Sequence, residues 1–299
     1  MAITAILAGC DLSNPSDQAL DRAIAVAKLH GAKVVLVHAQ PDDAPIVEVD
    51  NAILAQLGEV SAAVRVEEAR ELSKRLVAIE SHGLRAELIS RVGPADEVLA
   101  TAALEQAAEL IVVGTHGHTG ITRFLLGSVA SSTIRHAPCD VLVVRGRPVQ
   151  GPFLRPLVAT DFSPASSKAI TNVALMCAPG TPIEVIHAWQ LPAGSWGATL
   201  LGQARFPWST VRDAVLAAAR TQADKLVAEH TALGHTVHVE LVQGPPAQVI
   251  THAAERNAHD LIGVGAHGHR GVRRLLLGSV AESTIRHSPC SVLVVHGGY

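Results

Sequence analysis

The segment "GTHGHTGITRFLLGSVASSTIRHAPCDVLVVRG", residues 114–146, returns later in the chain as "GAHGHRGVRRLLLGSVAESTIRHSPCSVLVVHG", residues 265–297. The two 33-residue stretches align without a gap and are identical at 24 positions. Each starts with glycines and histidines and ends in a run of apolar residues. Such a repeat indicates that the chain carries one structural unit twice.

The composition indicates a globular protein without a nucleic-acid or membrane partner. At 299 residues the chain has the length of about two domains. Charged residues make up 17% and the formal net charge is −3, which gives no electrostatic reason to expect nucleic acid. No stretch approaches the roughly 18 uninterrupted apolar residues of a membrane span. The four cysteines form no CxxC pair, so we expect reduced thiols in a cytoplasmic protein.

Strand-like and helix-like segments alternate in the same order in both halves of the chain. Short runs such as "KVVLVHA" and "PIEVIHAW" are typical of strands that are covered on both faces, and helical periodicity separates them. The alternation predicts an α/β protein with two similar, doubly wound domains, each with a five-stranded parallel sheet. We place the first domain at residues 1–147 and the second at 154–299. The joint between them is short and rich in proline and glycine, so we expect the two domains to pair within the chain.

The candidate ligand site lies at the carboxyl ends of the predicted strands, where a doubly wound sheet binds its ligands. An aspartate follows the first strand of each half, Asp11 and Asp161. Glycines follow the fourth strand and let the backbone turn and approach a ligand. A glycine–serine pair then opens a helix, whose N-terminal amides favour phosphate. The glycines and serines of this pattern are Gly114, Gly117, Gly127, Ser128, Gly265, Gly268, Gly278 and Ser279.

The spacing G-x2-G-x9-G-S, found twice in this order, resembles the ATP-binding pattern of the universal stress proteins. The strand-one aspartates, the second strands "VLVH" and "EVIH", and the closing "PCDVLVV" and "PCSVLVV" agree with it. The resemblance covers nearly the whole chain, so the sequence looks like a tandem universal stress protein. It implies a Rossmann-like fold of the adenine nucleotide alpha hydrolase type, and ATP with Mg²⁺ as the ligand.

The resemblance also implies roles for individual residues. The aspartates match an acidic residue near the nucleotide and its Mg²⁺, and the glycine–serine motifs match a phosphate cradle. The remaining matches are Ala39 and Ala188 in the adenine pocket, Val113 and Val264 in its wall, and Val129 and Val280 continuing the cradle. Apart from the resemblance, we expect the loop histidines His116 and His267 to face solvent near the phosphates.

Several alternatives remain open at this stage. Cys10 stands where the second half has Thr160, the more typical residue, so either the nucleotide binds better or only in one half, with the second half favoured, or both halves bind it. The glycines also suit a tight turn without a ligand, and aspartates often cap helices or form turns. The loop histidines suggest a metal, but the neighbouring sequence supplies no cysteine or carboxylate to complete a four-ligand site, and we predict none.

Three classes of function compete. The first is a nucleotide-dependent regulator of the stress response. The second is an enzyme, at most a slow ATPase, because the sequence shows no nucleophile–base–orienter set and no P-loop lysine. The third is a nucleotide-free, chaperone-like scaffold. The apolar final strands need covering, which favours pairing of the two domains and, beyond it, a homodimer.

Overall fold

The computed structural model describes residues 2–41, 51–115, 126–146, 151–191, 208–267 and 277–296, without the side chains of 51–57 and 208. The chain divides into two compact units, unit 1 (Met1–Pro152) and unit 2 (Phe153–Tyr299). In the part of the chain that is described, no helix is long and apolar enough to cross a membrane.

Unit 1 alternates strands with helices along the chain. Its elements are β1 (Ala5–Gly9), α1 (Asn14–His30), β2 (Lys33–Gln40), α2 (Asn51–Ser81), β3 (Ala86–Val92), α3 (Ala95–Glu105), β4 (Leu110–Gly114), α4 (Ser128–His136) and β5 (Asp140–Val144).

Unit 2 repeats this order. Its elements are β6 (Pro156–Ala159), α5 (Pro164–Met176), β7 (Ile183–Trp189), α6 (Trp208–Ala232), β8 (Val237–Gln243), α7 (Pro246–Arg256), β9 (Leu261–Gly265), α8 (Ser279–His287) and β10 (Ser291–Val295).

Each unit contains a doubly wound parallel sheet, which confirms the predicted fold class. The strand order is β3-β2-β1-β4-β5 in unit 1 and β8-β7-β6-β9-β10 in unit 2. Leu7 of β1 aligns with Val35 of β2 on one side and with Ile111 of β4 on the other, and all these pairs are parallel. The chain therefore winds outward in one direction to β3 and in the other to β5, and the order reverses between β1 and β4.

Serine caps and early prolines set the first helix of each unit. The Ser13 side chain accepts a hydrogen bond from the Ser16 amide, and a proline lies in the first turn of α1. Ser163 and Ser166 repeat this cap at the start of α5. A capping hydroxyl satisfies one of the amides that have no partner within the helix. These caps fix where the chain turns from the first strand into its helix.

The cores of the two units fill a similar volume with exchanged large and small side chains. In unit 2, a Cβ added to Gly263 of β9 would lie 2.4 Å from Val173 Cγ2 and 3.2 Å from Val158 Cγ2. Unit 1 has Val112 at the position of Gly263 and alanines, Ala23 and Ala8, at those of the two valines. All five of these side-chain positions are fully buried. Close packing therefore ties the glycine in β9 to the valines that face it.

A buried histidine in unit 2 replaces an isoleucine of unit 1. His230 of α6 is 1% exposed, and Ile79 holds the equivalent position in α2. Its Nε2 lies 3.0 Å from Ser167 Oγ, and its buried Nδ1 has no hydrogen-bond partner among the described residues. Burial lowers the pKa of His230, the nearby His235 lowers it further, and Glu229 acts in the opposite direction. The folded unit therefore holds this imidazole neutral.

Restoring the unit 1 packing in unit 2 gives a first test. Gly263→Val alone should lower the free energy of unfolding of unit 2 by about 1–3 kcal/mol, because the added carbon atoms overlap the valines. Adding Val173→Ala and Val158→Ala should recover most of this loss. All three tryptophans of the chain, Trp189, Trp196 and Trp208, lie in unit 2, so denaturant unfolding followed by their fluorescence reports on this unit. A triple variant no more stable than Gly263→Val would contradict the packing account.

The buried histidine gives a second test. Because the pKa of His230 is lower in the folded unit than the ordinary value of about 6.5, the unfolded state takes up the proton first as the pH falls. The free energy of unfolding of unit 2 should therefore decrease from pH 7 towards pH 5.5. His230→Ile should flatten this slope in fluorescence-monitored unfolding, whereas the same change at the exposed His252 should leave it unaltered. If the pH dependence of the free energy of unfolding were unchanged in His230→Ile, His230 would not be the group that causes it.

Candidate functional site

A cavity of about 230 Å³ opens in unit 1 at the point where the strand order reverses. It lies at the carboxyl ends of β1, β2 and β4 and reaches the first turns of α3 and α4. Its lining includes the predicted site residues Asp11, Ala39, Val113, Gly114, Gly127, Ser128 and Val129. The structure therefore brings these residues together, and the predicted His116 and Gly117 lie outside the described residues.

The inner wall of the cavity is apolar. Val37 of β2 and Val113 of β4 are both buried, and Leu99 reaches the cavity from α3. Ala95, one helical turn before Leu99, completes this wall. An apolar wall of this kind accommodates a flat, weakly polar group such as a nucleobase.

The other end of the cavity is the N-terminus of α4. Gly127 is the N-cap of this helix, and among the described residues no side chain accepts a capping hydrogen bond there. The Gly127 amide donates to Thr115 O at 2.7 Å, which closes the loop that leaves β4. The amides of Ser128, Val129 and Ala130 lie in the first turn, where the helix dipole favours an anion. This helix start thus differs from that of α1, which has its own serine cap.

Asp11 has a structural role as well as a place in the cavity wall. Its Oδ1 accepts hydrogen bonds from the Ser13 amide at 3.0 Å and from the Ser13 hydroxyl. The residue between them, Leu12, has a φ of 65°. Asp161 accepts from the Ser163 amide in the same way, at 3.0 Å. Both aspartates therefore stabilise a turn, as the sequence allowed. Asp11 also lines the cavity.

Gly114 is required by a helix that packs against β4. A Cβ at this position would lie 2.8 Å from the Pro15 carbonyl oxygen of α1. At the equivalent Gly265 of unit 2, the nearest atom would be His267 O at 3.2 Å. The lack of a side chain at Gly114 thus serves the packing of α1 as well as access to the cavity.

The predicted residues of unit 2 take the corresponding positions in its own sheet. Val264 and Gly265 end β9, and Ala188 lies near the end of β7. The remaining residues are Asp161 after β6, His267 after β9, and Gly278, Ser279 and Val280 at the start of α8. The Gly278 amide donates to Ala266 O at 2.8 Å, and the described side chains provide no cap for α8. The predicted Gly268 lies outside the described residues.

Sequence reasoning missed part of the cavity wall. Val37, Ala95, Leu99 and Ser16 line the cavity but were not among the predicted site residues. The alternation of strand side chains places Val37 on the same face as Ala39, which is a usable signal. Cys10, noted only as a departure from Thr160, also lines the cavity, and burial raises the pKa of its thiol.

Near the cavity, a serine, a histidine and an aspartate meet without forming a catalytic triad. The Ser132 hydroxyl of α4 donates to Asp96 Oδ2 of α3, and His136 Nδ1 lies 3.3 Å from the same oxygen. His136 Nδ1 also lies 3.3 Å from the Ser132 hydroxyl, so one ring nitrogen faces both partners, whereas the histidine of a catalytic triad contacts the serine and the aspartate through its two different nitrogens. The hydrogen bond from Ser132 holds the pKa of Asp96 below its usual range. The cluster joins α3 to α4, and unit 2 has Ala247 in place of the aspartate.

The described residues contain no group of three or more histidine, cysteine, aspartate or glutamate side chains that is arranged to bind a metal ion.

Comparison with known proteins identifies the family. The model of the universal stress protein family matches the chain twice, at residues 3–145 and 153–296. The chain therefore belongs to the universal stress protein family and carries two such domains in tandem.

Similar proteins agree with this assignment. A universal stress protein of Mycolicibacterium smegmatis is 27% identical over 97% of this chain and 96% of its own length. A putative universal stress protein of Staphylococcus aureus strain USA300 is 33% identical over 52% of this chain and 91% of its own. The crystal structure of a universal stress protein from Archaeoglobus fulgidus covers 98% of this chain and 96% of its own, with a TM-score of 0.65 and 24% identity, and shows the same fold.

The two strand-end glycines should respond differently to a methyl group. Gly114→Ala should lower the free energy of unfolding of unit 1 by about 1–3 kcal/mol, because the added carbon overlaps a backbone carbonyl that cannot rotate away. Gly265→Ala should cost unit 2 less, since its nearest contact is longer. Hydrogen exchange resolved by unit measures both losses in the full chain. If the two variants lost the same free energy of unfolding, the close contact with Pro15 would not be the cause of the loss in Gly114→Ala.

Proposed function

We propose that this universal stress protein binds ATP, with Mg²⁺, at the carboxyl edges of its sheets and acts as a nucleotide-dependent regulator of the stress response. The observation that carries the proposal is the start of α4, which has no side-chain cap among the described residues and borders an apolar cavity. An apolar wall and an anion-binding helix start are the two environments that a nucleotide requires.

The cavity suits the parts of a nucleotide in a definite order. The adenine lies against Val37, Leu99 and Val113, and the phosphates lie at the first turn of α4, beside Ser128. At about 230 Å³ the cavity is just below the usual range of ligand pockets, about 300–1,000 Å³. It therefore holds the nucleoside and leaves the phosphates at its mouth.

Asp11 supports the metal part of the proposal. It brings a carboxylate to the cavity wall, and Mg²⁺ in nucleotide sites is bound through one or two carboxylates together with phosphate oxygens. Unit 2 has Asp161 in the same kind of turn after β6. We propose that both units bind the nucleotide, with Asp11 and Asp161 in equivalent roles.

Regulation is favoured over catalysis by the geometry near the cavity. One nitrogen of His136 faces both Ser132 and Asp96, which is not the arrangement of a catalytic triad, and the lowered pKa of Asp96 makes its carboxylate a weak base for the serine. Slow ATP hydrolysis and a nucleotide-free scaffold are the competing functions. The homodimer, the pairing of the two domains and the cytoplasmic location stay predictions from the sequence.

A carboxylate at the helix start tests the phosphate site. Ser128→Asp and Ser279→Asp should each weaken ATP binding to their own unit at least about tenfold, because like charges a few ångströms apart repel. The helices should persist, since an acidic residue in the first turn favours the helix dipole. Titration calorimetry with MgATP measures the affinity, and native mass spectrometry counts the bound nucleotides.

The chain offers a matched control for this change. Ser131→Glu adds the same charge one turn further along α4 and copies Glu282, which holds the equivalent position in α8 and lies 3.2 Å from Arg286. This variant should bind ATP as the unaltered chain does. Equal losses in Ser128→Asp and Ser131→Glu would refute the phosphate site, and release of ADP during incubation with MgATP would favour the ATPase.

A further inference from the structure

We propose that His38 in unit 1 and His187 in unit 2 are positioning residues for the nucleotide sites, acting through the carbonyl group that ends the first strand. This inference rests on the proposed function and assigns to each site a residue that does not line the described cavity. Its evidence is one hydrogen bond that occurs in both units.

In unit 1 the hydrogen bond joins β2 to the end of β1. His38 is 5% exposed, and its Nδ1 lies 2.8 Å from the Cys10 carbonyl oxygen. A carbonyl oxygen only accepts, so Nδ1 carries the proton and donates it. The Cys10 amide donates in turn to Val37 O at 2.9 Å. Both the amide and the carbonyl group of Cys10, the residue before Asp11, therefore form hydrogen bonds with β2.

Unit 2 forms the same hydrogen bond in different surroundings. His187 Nδ1 lies 2.9 Å from Thr160 O, and its ring packs on Phe162 at 4.4 Å between centroids. In unit 1 the other ring nitrogen of His38 faces Glu68 of α2, at 3.9 Å from Nε2 to Oε2. The equivalent position in unit 2 is Ala219. The two histidines thus differ in their other neighbours and share the contact to the strand end.

The planarity of the peptide bond turns this contact into a constraint on the site. In a trans peptide the carbonyl and the following N–H point in opposite directions. Because His38 draws the Cys10 carbonyl towards β2, the Asp11 amide is directed away from β2, to the side of β1 on which β4 lies. That is the side on which the strand order reverses and the cavity opens.

The turn that follows needs such a constraint. Leu12 and Phe162 adopt φ values of 65° and 63°, a left-handed conformation that costs a residue with a side chain about 1 kcal/mol. The histidine bond fixes the peptide immediately before this turn. It thereby keeps Asp11 and Asp161 in the orientation in which their Oδ1 atoms accept from the serine amides.

Unit 2 provides a matched control at the opposite edge of its sheet. His259 is buried, and its Nδ1 lies 3.0 Å from Arg155 O, immediately before β6 begins. This is the same type of bond, from a buried imidazole to a backbone carbonyl. It lies at the amino ends of the strands, away from the proposed site.

The experiment compares removal of the donor with its replacement. In a Ser279→Asp background, so that unit 1 is followed, His38→Leu should weaken ATP binding about tenfold in titration calorimetry. His38→Asn should restore most of the affinity, because an asparagine amide places an N–H donor near the position of Nδ1. In a Ser128→Asp background, which leaves unit 2 to be followed, His187→Leu should weaken ATP binding about tenfold and His187→Asn should keep most of the affinity. In the same background, His259→Leu should leave the ATP affinity unchanged while lowering the free energy of unfolding.

A second measurement does not depend on the nucleotide. Hydrogen exchange without ligand should become faster at the amides of residues 11–13 in His38→Leu and of residues 161–163 in His187→Leu. His38→Asn and His259→Leu should leave those segments as protected as in the unaltered chain. This measurement decides the positioning role even if the protein does not bind ATP, an outcome that would refute the proposed function alone.

The outcomes distinguish the positioning role of the histidines from the proposed binding of ATP. Unchanged exchange at these turns in the leucine variants would overturn the positioning role whatever the protein binds. Normal ATP affinity in His38→Leu, together with ATP binding by the unaltered chain, would also overturn it. An equal loss of affinity in His259→Leu would show a general effect of stability and would equally contradict the inference.

Discussion

The reversal of strand order between β1 and β4 is the constraint on which the site in unit 1 depends. Since β1 is paired on one side with β2 and on the other with β4, the connections that leave these strands diverge. The carboxyl edge is therefore uncovered at this point, and helix starts border it. The sheet provides the cavity, and the composition of a few residues at its edge decides what the cavity accepts.

The two units show which parts of this arrangement tolerate change. In unit 1, Arg75 of α2 forms a bidentate ion pair with Asp17 of α1, with contacts of 2.7 and 3.0 Å. In unit 2, His230 and Ser167 join the corresponding helices. The core behind β9 also exchanges large and small side chains. These differences lie in the packing of helices on the sheet, where several side-chain combinations fill one volume.

At the strand ends, in contrast, the units use the same devices. Both have an aspartate that accepts from a serine amide two residues later, and a second-strand histidine that donates to the preceding carbonyl. Both begin the helix after the fourth strand at a glycine, and the described side chains do not cap it. A fold that needed only a stable turn would be free to vary here as it does in its core. The repetition of these contacts within one chain therefore favours a common ligand.

The sequence predicted the sheet and the polar end of the site because both depend on local signals. Strand runs, helical periodicity and glycine spacing are visible in a few neighbouring residues, and they placed Asp11, Gly127 and Ser128 at one edge. The apolar wall was not predictable in the same way. Leu99 reaches the cavity only because α3 packs across β2, and Gly114 is required by Pro15, which is 99 residues earlier in the chain. Contacts of this kind depend on the completed fold.

The helix start at Gly127 also suggests how a nucleotide would influence the whole unit. Among the described residues no side chain caps this helix, and a glycine cap gives up about a few tenths of a kcal/mol relative to the serine cap of α1. A bound phosphate would supply the hydrogen bonds of such a cap. Since a ligand that binds only the folded state stabilises it by RT ln(1 + [L]/Kd), a nucleotide at one hundred times its Kd adds about 2.7 kcal/mol. The cavity is built from β1, β2, α3, β4 and α4, so this stabilisation acts on most elements of the unit at once. Under the proposed function, nucleotide concentration would thereby be converted into the stability of a complete domain, which would be a physical basis for regulation that needs no hydrolysis.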